Sequence, residues 1–434
     1  MGSHKFARSS HQSGDLDPEF NGGEILTFEN VQAEDVAISS SGRIYMVGPH
    51  LPENDYMVSA LNPDGRFDPS FNGGKPVYDA FAQSRNSTAE QVTVLPDGKI
   101  LILGRMISDE GKLVFGLSKY HPDGTLDHSF GTDGHSIPIY EPDDVNLVSR
   151  ERTVRDKTSR YLERSPVSLH VHGRRIYAAG LAEKRVGNKL VTMLMCLDEA
   201  GNLIQDFGSK GFTLVEHPEY HLDARCMLAT ENHIYLAGSI QILLKNYRAW
   251  SRLHLDGRLD VGFGSNGFVY DITDEYLGSG SFTAVVLQND FNLVGSSWIF
   301  DVSGMAQHAM LDSIDRDGGK NLSFNNGEPV LTPIGWRAIW TDCAIQPSGR
   351  IVTSGWVYVE ESSEFADLIA GRFLPNGSLD TSFGNGTGWT QIKVGNLSGY
   401  YPVASAVQRD NGIVVTGSME VDRRITAFVL RLRG

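Results

Sequence analysis

Two neighbouring loops of the 434-residue chain gather side chains suited to gripping a ligand. The stretch TPIGWRAIWTD, residues 332–342, carries Trp336, Arg337 and Trp340, and the corresponding loop 394–404 adds Tyr400 and Tyr401. Aromatic faces stack on sugar rings or on a partner's apolar side chains, and a guanidinium supplies a directional donor. Packing alone is the plainer reading of the same residues. A third stretch, 141–166, holds Arg150, Arg152, Arg155, Lys157, Arg160 and Arg164, interleaved with Glu151, Asp156 and Glu163. On an acidic chain such a basic segment suggests an anionic ligand or an acidic partner, with Arg155 and Arg160 as contacts. The alternative is a solvated, partly mobile insertion.

Catalytic and metal-binding patterns are weaker. His217 and His221, in EHPEYH, have a spacing found in some zinc sites, but Pro218 opposes the helix that such a pair needs. They stand as weak metal candidates, and no cofactor is expected. The acidic residues Asp35, Glu90, Asp223, Asp274, Glu275 and Asp342 recur near loops of the same kind. Two of them could run acid–base chemistry on a glycan, although no spacing singles out a pair. Cys196, Cys226 and Cys343 form neither a disulfide framework nor a CxxC pair and read as core. Neither a GxSxG elbow nor a P-loop occurs.

Charge excludes some partners. Lys plus Arg is 38 against 53 Asp plus Glu, a net charge of −15. Nucleic-acid backbones and anionic membrane surfaces both require clustered cations, so neither is an expected partner. No apolar run approaches the ~20 residues of a membrane span, and residues 1–15 contain no apolar leader. They read as a disordered leader or an expression remnant. The localisation stays open between the cytoplasm and export without a classical leader.

The elements that would position these residues show in an internal repeat. LDPEFNGG (16–23) recurs as FDPSFNGG (67–74), LDHSFGTDG (126–134), LIQDFGSKG (203–211), LDVGFGSNG (259–267), KNLSFNNG (320–327) and LDTSFGNGTG (379–388). A hairpin ending in glycine keeps the same phase: SGRIYMVG, DGKILILG, GRRIYAAG, NHIYLAG, DFNLVG, SGRIVTSG and NGIVVTG. Between these markers each unit reads as four strands, with period-two alternation bounded by Gly, Pro, Asp and Asn. The motif Asp is expected to fix a turn by accepting a backbone N–H two residues on, and the Phe to bury its ring against the neighbouring unit.

The chain is cut inside the repeat. It ends in TAFVLRLRG, a third strand, and begins with a motif plus a fourth strand at about 23–29. The expected fold is therefore all-β: a single seven-bladed β-propeller of four-stranded blades over residues 16–434, interrupted by the 141–166 insertion. Its ring would be closed by pairing the N-terminal strand with the C-terminal three. The LDxSFGxxG motif and the PDGKILxxG hairpin resemble the bacterial delta-60 repeat family, a β-propeller domain without an established chemistry. The resemblance covers residues 16–434 and implies a propeller often found in secreted or surface proteins. Ile204 and Asn321 depart from the family's Asp, so those two turns are expected to be built differently.

The leading functional reading is a non-enzymatic, monomeric module that binds a protein or glycan through loops around a central channel, at Trp336, Arg337, Trp340, Tyr400, Tyr401, Arg155 and Arg160. One alternative is a glycan hydrolase or lyase using channel-mouth carboxylates or histidines. A second is a structural module of a secreted or surface system.

Overall fold

A computed structural model describes residues 12–51, 53–82, 86–140, 144–148, 166–272, 277–289, 291–301, 303–397 and 403–434. The second unit shows how a repeat folds. Its strands Ser87–Val94, Ile100–Ile107, Leu113–Tyr120 and His135–Ser136 pair in that order, all antiparallel. The turn at Pro96–Gly98 closes the first hairpin through Gly98 N–H donating to the Leu95 carbonyl. The two middle strands are buried on both faces because each unit is covered by a neighbour on either side. Among the described residues seven apolar clusters fill those interfaces; one joins Val414 and Val429 near the C-terminus to Val36, Ile44 and Met46 near the N-terminus.

The arrangement is β-propeller-like, but it is not the closed ring of seven separate four-stranded blades that the repeat predicts. The described strands form five sheets, of 12, 5, 4, 4 and 4 strands, and none closes into a ring. Two backbone joins account for the difference. Gln307 pairs in parallel with Arg337, linking the fifth unit to the sixth. The nine-residue strand Trp389–Leu397 runs beyond its own unit, so that Asn396 and Leu397 pair with Glu420 and Met419 of the seventh. The five-stranded sheet is the third unit plus Val145–Leu147, the described strand of the 141–166 insertion. Strand Leu26–Glu29 pairs with Thr426–Val429 and lies at one end of the 12-stranded path.

The motif supplies the contacts between units. Each Phe is buried, and its ring lies against the turn glycine of the next unit. A Cβ on Gly65 would sit 2.8 Å from the Phe20 ring, one on Gly201 2.8 Å from Phe130, and one on Gly377 3.0 Å from Phe324. These glycines also have positive φ (+83°, +83° and +85°), so any side chain there meets both backbone strain and a collision. Phe383 of the sixth unit packs against Gly14, and Gly384 N–H donates to the Ser13 carbonyl. Residues 12–15, expected to belong to a disordered leader, thus form the turn that covers the sixth motif.

The motif Asp does two things at once. One oxygen accepts the N–H two residues on, at Glu19, Ser70, Ser129, Gly262 and Ser382, as the spacing predicts. The other faces a cation: Arg431 for Asp17, Arg43 for Asp68, Lys99 and Lys119 for Asp127, Arg252 for Asp260, and Arg350 and Arg372 for Asp380. Burial raises the Asp380 carboxyl, but hydrogen bonds from Ser382 and Arg350 and the charge of Arg372 outweigh it and bring it to about 2.

The two departures keep the backbone turn, contrary to expectation, since Phe207 and Phe324 donate to Ile204 and Asn321 as the other Phe residues do to Asp. Their partners change instead. Asn321 Oδ1 still accepts from Ser323, while its Nδ2 donates 2.9 Å to Ser313, which stands where Arg252, Arg372 and Arg431 stand in other units. Opposite Ile204 that position holds the buried Cys196. In both units that lack the carboxylate the third-strand position holds no cation, although Arg175 keeps the second-strand position of the third unit.

Candidate functional site

The first strands of the seven units lie side by side, each against the next, with Ala404–Val407 against Asp35–Ile38. They surround a cavity of about 320 Å³ lined by residues of all seven units. Sheet register places Asp35, Gln91, Ser168, Cys226, Ala284, Asp342 and Ala404 at equivalent points on these strands, each paired with the residue before the hairpin's closing position. All seven line the cavity.

Four first strands carry a β-bulge just upstream, between Ala89 and Gln91, Ala224 and Cys226, Phe282 and Ala284, and Trp340 and Asp342. A bulge inserts one residue and re-aims its side chain. The inserted residues Glu90, Arg225, Thr283 and Thr341 also reach the cavity.

Polar groups on this wall bind neighbouring units together. Asp35 Oδ2 accepts 2.9 Å from Val92 N–H, and Asp342 Oδ2 accepts 2.7 Å from Ser405 N–H. Gln91 accepts from Leu169 N–H in the same manner. Thr283 and Thr341 donate to the carbonyls of Trp340 and Val403. The Glu90 carboxylate receives both Nε and Nη2 of Arg105, at 2.7 and 2.9 Å, and Asp223 receives Arg225.

Two carboxyls stand apart electrostatically. Burial pushes Asp35 up to about 8, against the hydrogen bond from Val92 and with a further rise from the charge of Asp342. Burial likewise pushes Asp342 up to about 6, opposed by hydrogen bonds from Ser405 and Cys343. His170, also on the wall, is driven down to about 4 by burial and by His172. At neutral pH the cavity thus presents an acid that keeps its proton, a carboxylate that has lost one, and a neutral imidazole. Cys226 lines the cavity, but burial lifts its thiol well above the ordinary value and Sγ donates to the Ala237 carbonyl. It is not poised as a nucleophile.

A raised carboxyl has a consequence for stability. The folded form of Asp35 holds its proton more tightly than the unfolded chain, whose value is near 3.8. Its contribution is full below about pH 4 and is lost as pH rises through about 8. The stability difference between wild type and Asp35→Asn should therefore shift in favour of the variant as pH is raised from 5 to 9, read by urea midpoints at each pH. Parallel profiles would show that Asp35 is not held protonated.

Of the rim predicted from sequence, the described residues Arg337 and Trp340 are buried and Trp336 is half-buried. TPIGWRAIWTD is mostly strand, because the first strand of the sixth unit begins at Arg337 (Arg337–Ile345). Trp340 is fully buried beneath Gly371 and meets Phe373 edge-on. Arg337 is 3% exposed, its guanidinium lying 4.1 Å from the Trp336 ring and its Nε donating to the Met305 carbonyl. Trp336 is half-buried against the apolar cluster. Tyr400, Tyr401, Arg155 and Arg160 lie outside the described residues, as do Asp274 and Glu275.

The histidine pair does not converge either. His217 is buried against Tyr220, Phe268 and Tyr270, and its Nδ1 accepts the N–H groups of Glu219 and Tyr220. His221 Nδ1 accepts from Leu190 N–H. Sequence reasoning found Asp35, Glu90, Asp223 and Asp342 as acidic positions but not Gln91, His170 or Arg225. The bulges that aim the last of these leave no residue signature.

Comparison with known proteins agrees with the coarse architecture. A family described as a β-propeller domain of unknown function, DUF5122, matches residues 95–130 and 346–383, each running from a hairpin turn to a motif Phe. That is a minor part of the chain; it supports a β-propeller-like fold and does not single out the delta-60 repeat family. No curated protein matches. Among solved structures, a protein of unknown function from Dyadobacter fermentans aligns over 94% of this chain and 97% of its own, at 11% identity and TM-score 0.43. A Trypanosoma rangeli sialidase in complex with sialic acid aligns over 97% of this chain and 60% of its own, at 9% identity and TM-score 0.44. An endo-arabinase from Bacteroides thetaiotaomicron aligns over 61% and 93%, at 8% identity and TM-score 0.36. At these scores none of them bears on chemistry. Among the described residues no helix is long and apolar enough to cross a membrane.

Proposed function

We propose that the axial cavity is the functional site and that it performs acid–base chemistry on a small polyhydroxylated, sugar-like substrate, in the manner of a glycan hydrolase or lyase. The supporting observation is the placement of Asp35 and Asp342 at equivalent points of one cavity, whose wall mixes polar and apolar side chains. In this reading protonated Asp35 is the general acid toward a leaving oxygen, and ionised Asp342 is the base or charge stabiliser. Gln91, Arg225, Thr283 and Thr341 add hydrogen-bonding groups to the same wall. No Phe, Tyr or Trp lines it among the described residues, so the ligand is held by polar contacts rather than by stacking on a large aromatic face. Its volume suits a substrate at the small end of the range for ligand pockets.

A panel of aryl glycosides and short uronic-acid oligosaccharides tests this reading. Wild type should turn over at least one of them, with a rate that falls below about pH 6 as Asp342 gains a proton and above about pH 8 as Asp35 loses one. Asp35→Asn should lower kcat/KM by about 10²–10⁴ while circular dichroism stays unchanged.

A second reading, binding without turnover, is favoured by the hydrogen bonds that both carboxyls accept from neighbouring units. Saturable glycan binding with no product, and an Asp35→Asn variant altered in stability alone, would decide for it.

A further inference from the structure

The motif Asp sites, at the other end of the first strands from the cavity, contain one exception. At the start of the second strand Arg43, Lys99 and Arg350 supply a cation to their motif Asp; in the fourth unit that residue is His233. At the end of the third strand, where Asn62, His121, Asp198, Asp315 and Leu374 stand, the fourth unit has His254, so that only there do two imidazoles face the motif Asp among the described residues. Two imidazoles therefore flank Asp260, alongside the Arg252 guanidinium. His233 Nε2 lies 3.5 Å from Asp260 Oδ2, and His254 Nε2 lies 3.9 Å from Asp260 Oδ1. One ligand atom of each residue lies within 4.8 Å of the others.

Donor atoms around a four-coordinate zinc ion are roughly 3.3 Å apart. Small rotations of the two imidazoles, whose side chains are 27% and 45% exposed, would bring the three donors to that spacing. We propose that His233, His254 and Asp260 form a binding site for a zinc-class divalent transition metal, with water completing its shell. The donor set selects the metal, because two imidazoles and one carboxylate suit zinc, nickel or copper and not magnesium or calcium.

The nearest opposing charge is Arg252, whose Nε donates 2.7 Å to Asp260 Oδ2. Its Nη1 is held by the Arg316 carbonyl and the Asp317 carboxylate, so the guanidinium is balanced by a second acid. Asp260 Oδ1 accepts Gly262 N–H, and a carboxylate has lone pairs left for a metal after accepting two hydrogen bonds.

The test is calorimetric titration of the chelator-treated full chain with zinc chloride, with His4 and His11 replaced throughout to remove the N-terminal imidazoles. One zinc equivalent is expected. His233→Arg restores the residue that the first and sixth units carry, so it preserves the fold while removing a ligand. It and His254→Asn should each weaken zinc binding at least tenfold, and the double variant should lose the equivalent altogether. His217→Ala with His221→Ala should leave it intact, and magnesium should produce no saturable heat. Zinc binding unchanged by His233→Arg and His254→Asn, zinc binding lost in the His217/His221 variant, or no saturable zinc binding by wild type would each overturn the site.

Discussion

Asp380→Ala should destabilise the protein by about 3–5 kcal/mol, the range for removing one partner of a buried, hydrogen-bonded ion pair. The carboxylate joins three parts of the sixth unit. Arg350 and Arg372 donate to Oδ2 at 2.7 and 2.9 Å, and Ser382 donates to Oδ1 through both N–H and hydroxyl. Arg372 is itself 5% exposed, so truncating Asp380 leaves a buried cation without its counter-charge. Asp380→Asn keeps the turn acceptor, as Asn321 does in the fifth unit, but still leaves Arg372 uncompensated. Combining it with Arg372→Ser reproduces the Asn321–Ser313 arrangement and should recover part of the loss. Thermal melts of Asp380→Asn, Arg372→Ser and the double variant give the coupling directly. A melting temperature for Asp380→Ala equal to that of the exposed control Asp64→Ala would remove the ion pair from the account of stability.

Deleting residues 1–29 should have a still larger effect, leaving the chain mostly insoluble on expression. Four losses coincide. The strand Arg424–Leu432 loses its outer partner Leu26–Glu29 and becomes an open edge, a template for aggregation. Arg431 loses Asp17, 2.5 Å away in a buried pair. Phe20 and Phe28 leave the clusters they fill, at about 1.5–3 kcal/mol each. Phe383 loses the turn at Gly14 that covers it. Together these approach the whole stability of a typical domain, about 5–15 kcal/mol. A soluble, cooperatively melting 30–434 chain would show that the N-terminal segment does not complete the last unit.

Much of this architecture was legible because it is local. Asp at a fixed distance before Phe, with Gly after it, specifies a turn through a side chain two residues from its partner, and that geometry holds wherever the motif occurs. The double-sided burial of the middle strands follows from runs such as ILILG and YMVSAL. The partner changes at Ile204 and Asn321 were less visible, since Cys196 and Ser313 come before those residues in the chain, across a loop, and explain them only once they are seen side by side.

Other features depend on backbone irregularities that no residue type announces. Four bulges shift the first strands by one residue. Cys226, which by counting belongs with Val36 and Val92, actually stands at the level of Asp35, on the cavity wall. In the fifth unit the register likewise places Ser297, not Gly295, opposite the residue before the bulge. In the sixth unit the first strand runs back through Trp340 to Arg337, which buries Trp340 where an open rim was expected.

By itself the sequence determined seven repeats, their turn chemistry and the cut between third and fourth strands, because each rests on neighbours a few residues apart. Tertiary structure decided that these repeats join into five sheets rather than seven, that Asp35 and Asp342 share one cavity, and that His233 and His254 converge on Asp260. Those outcomes depend on contacts across tens to hundreds of residues and on bulges and strand ends, where a shift of a single residue turns a side chain from one face to the other.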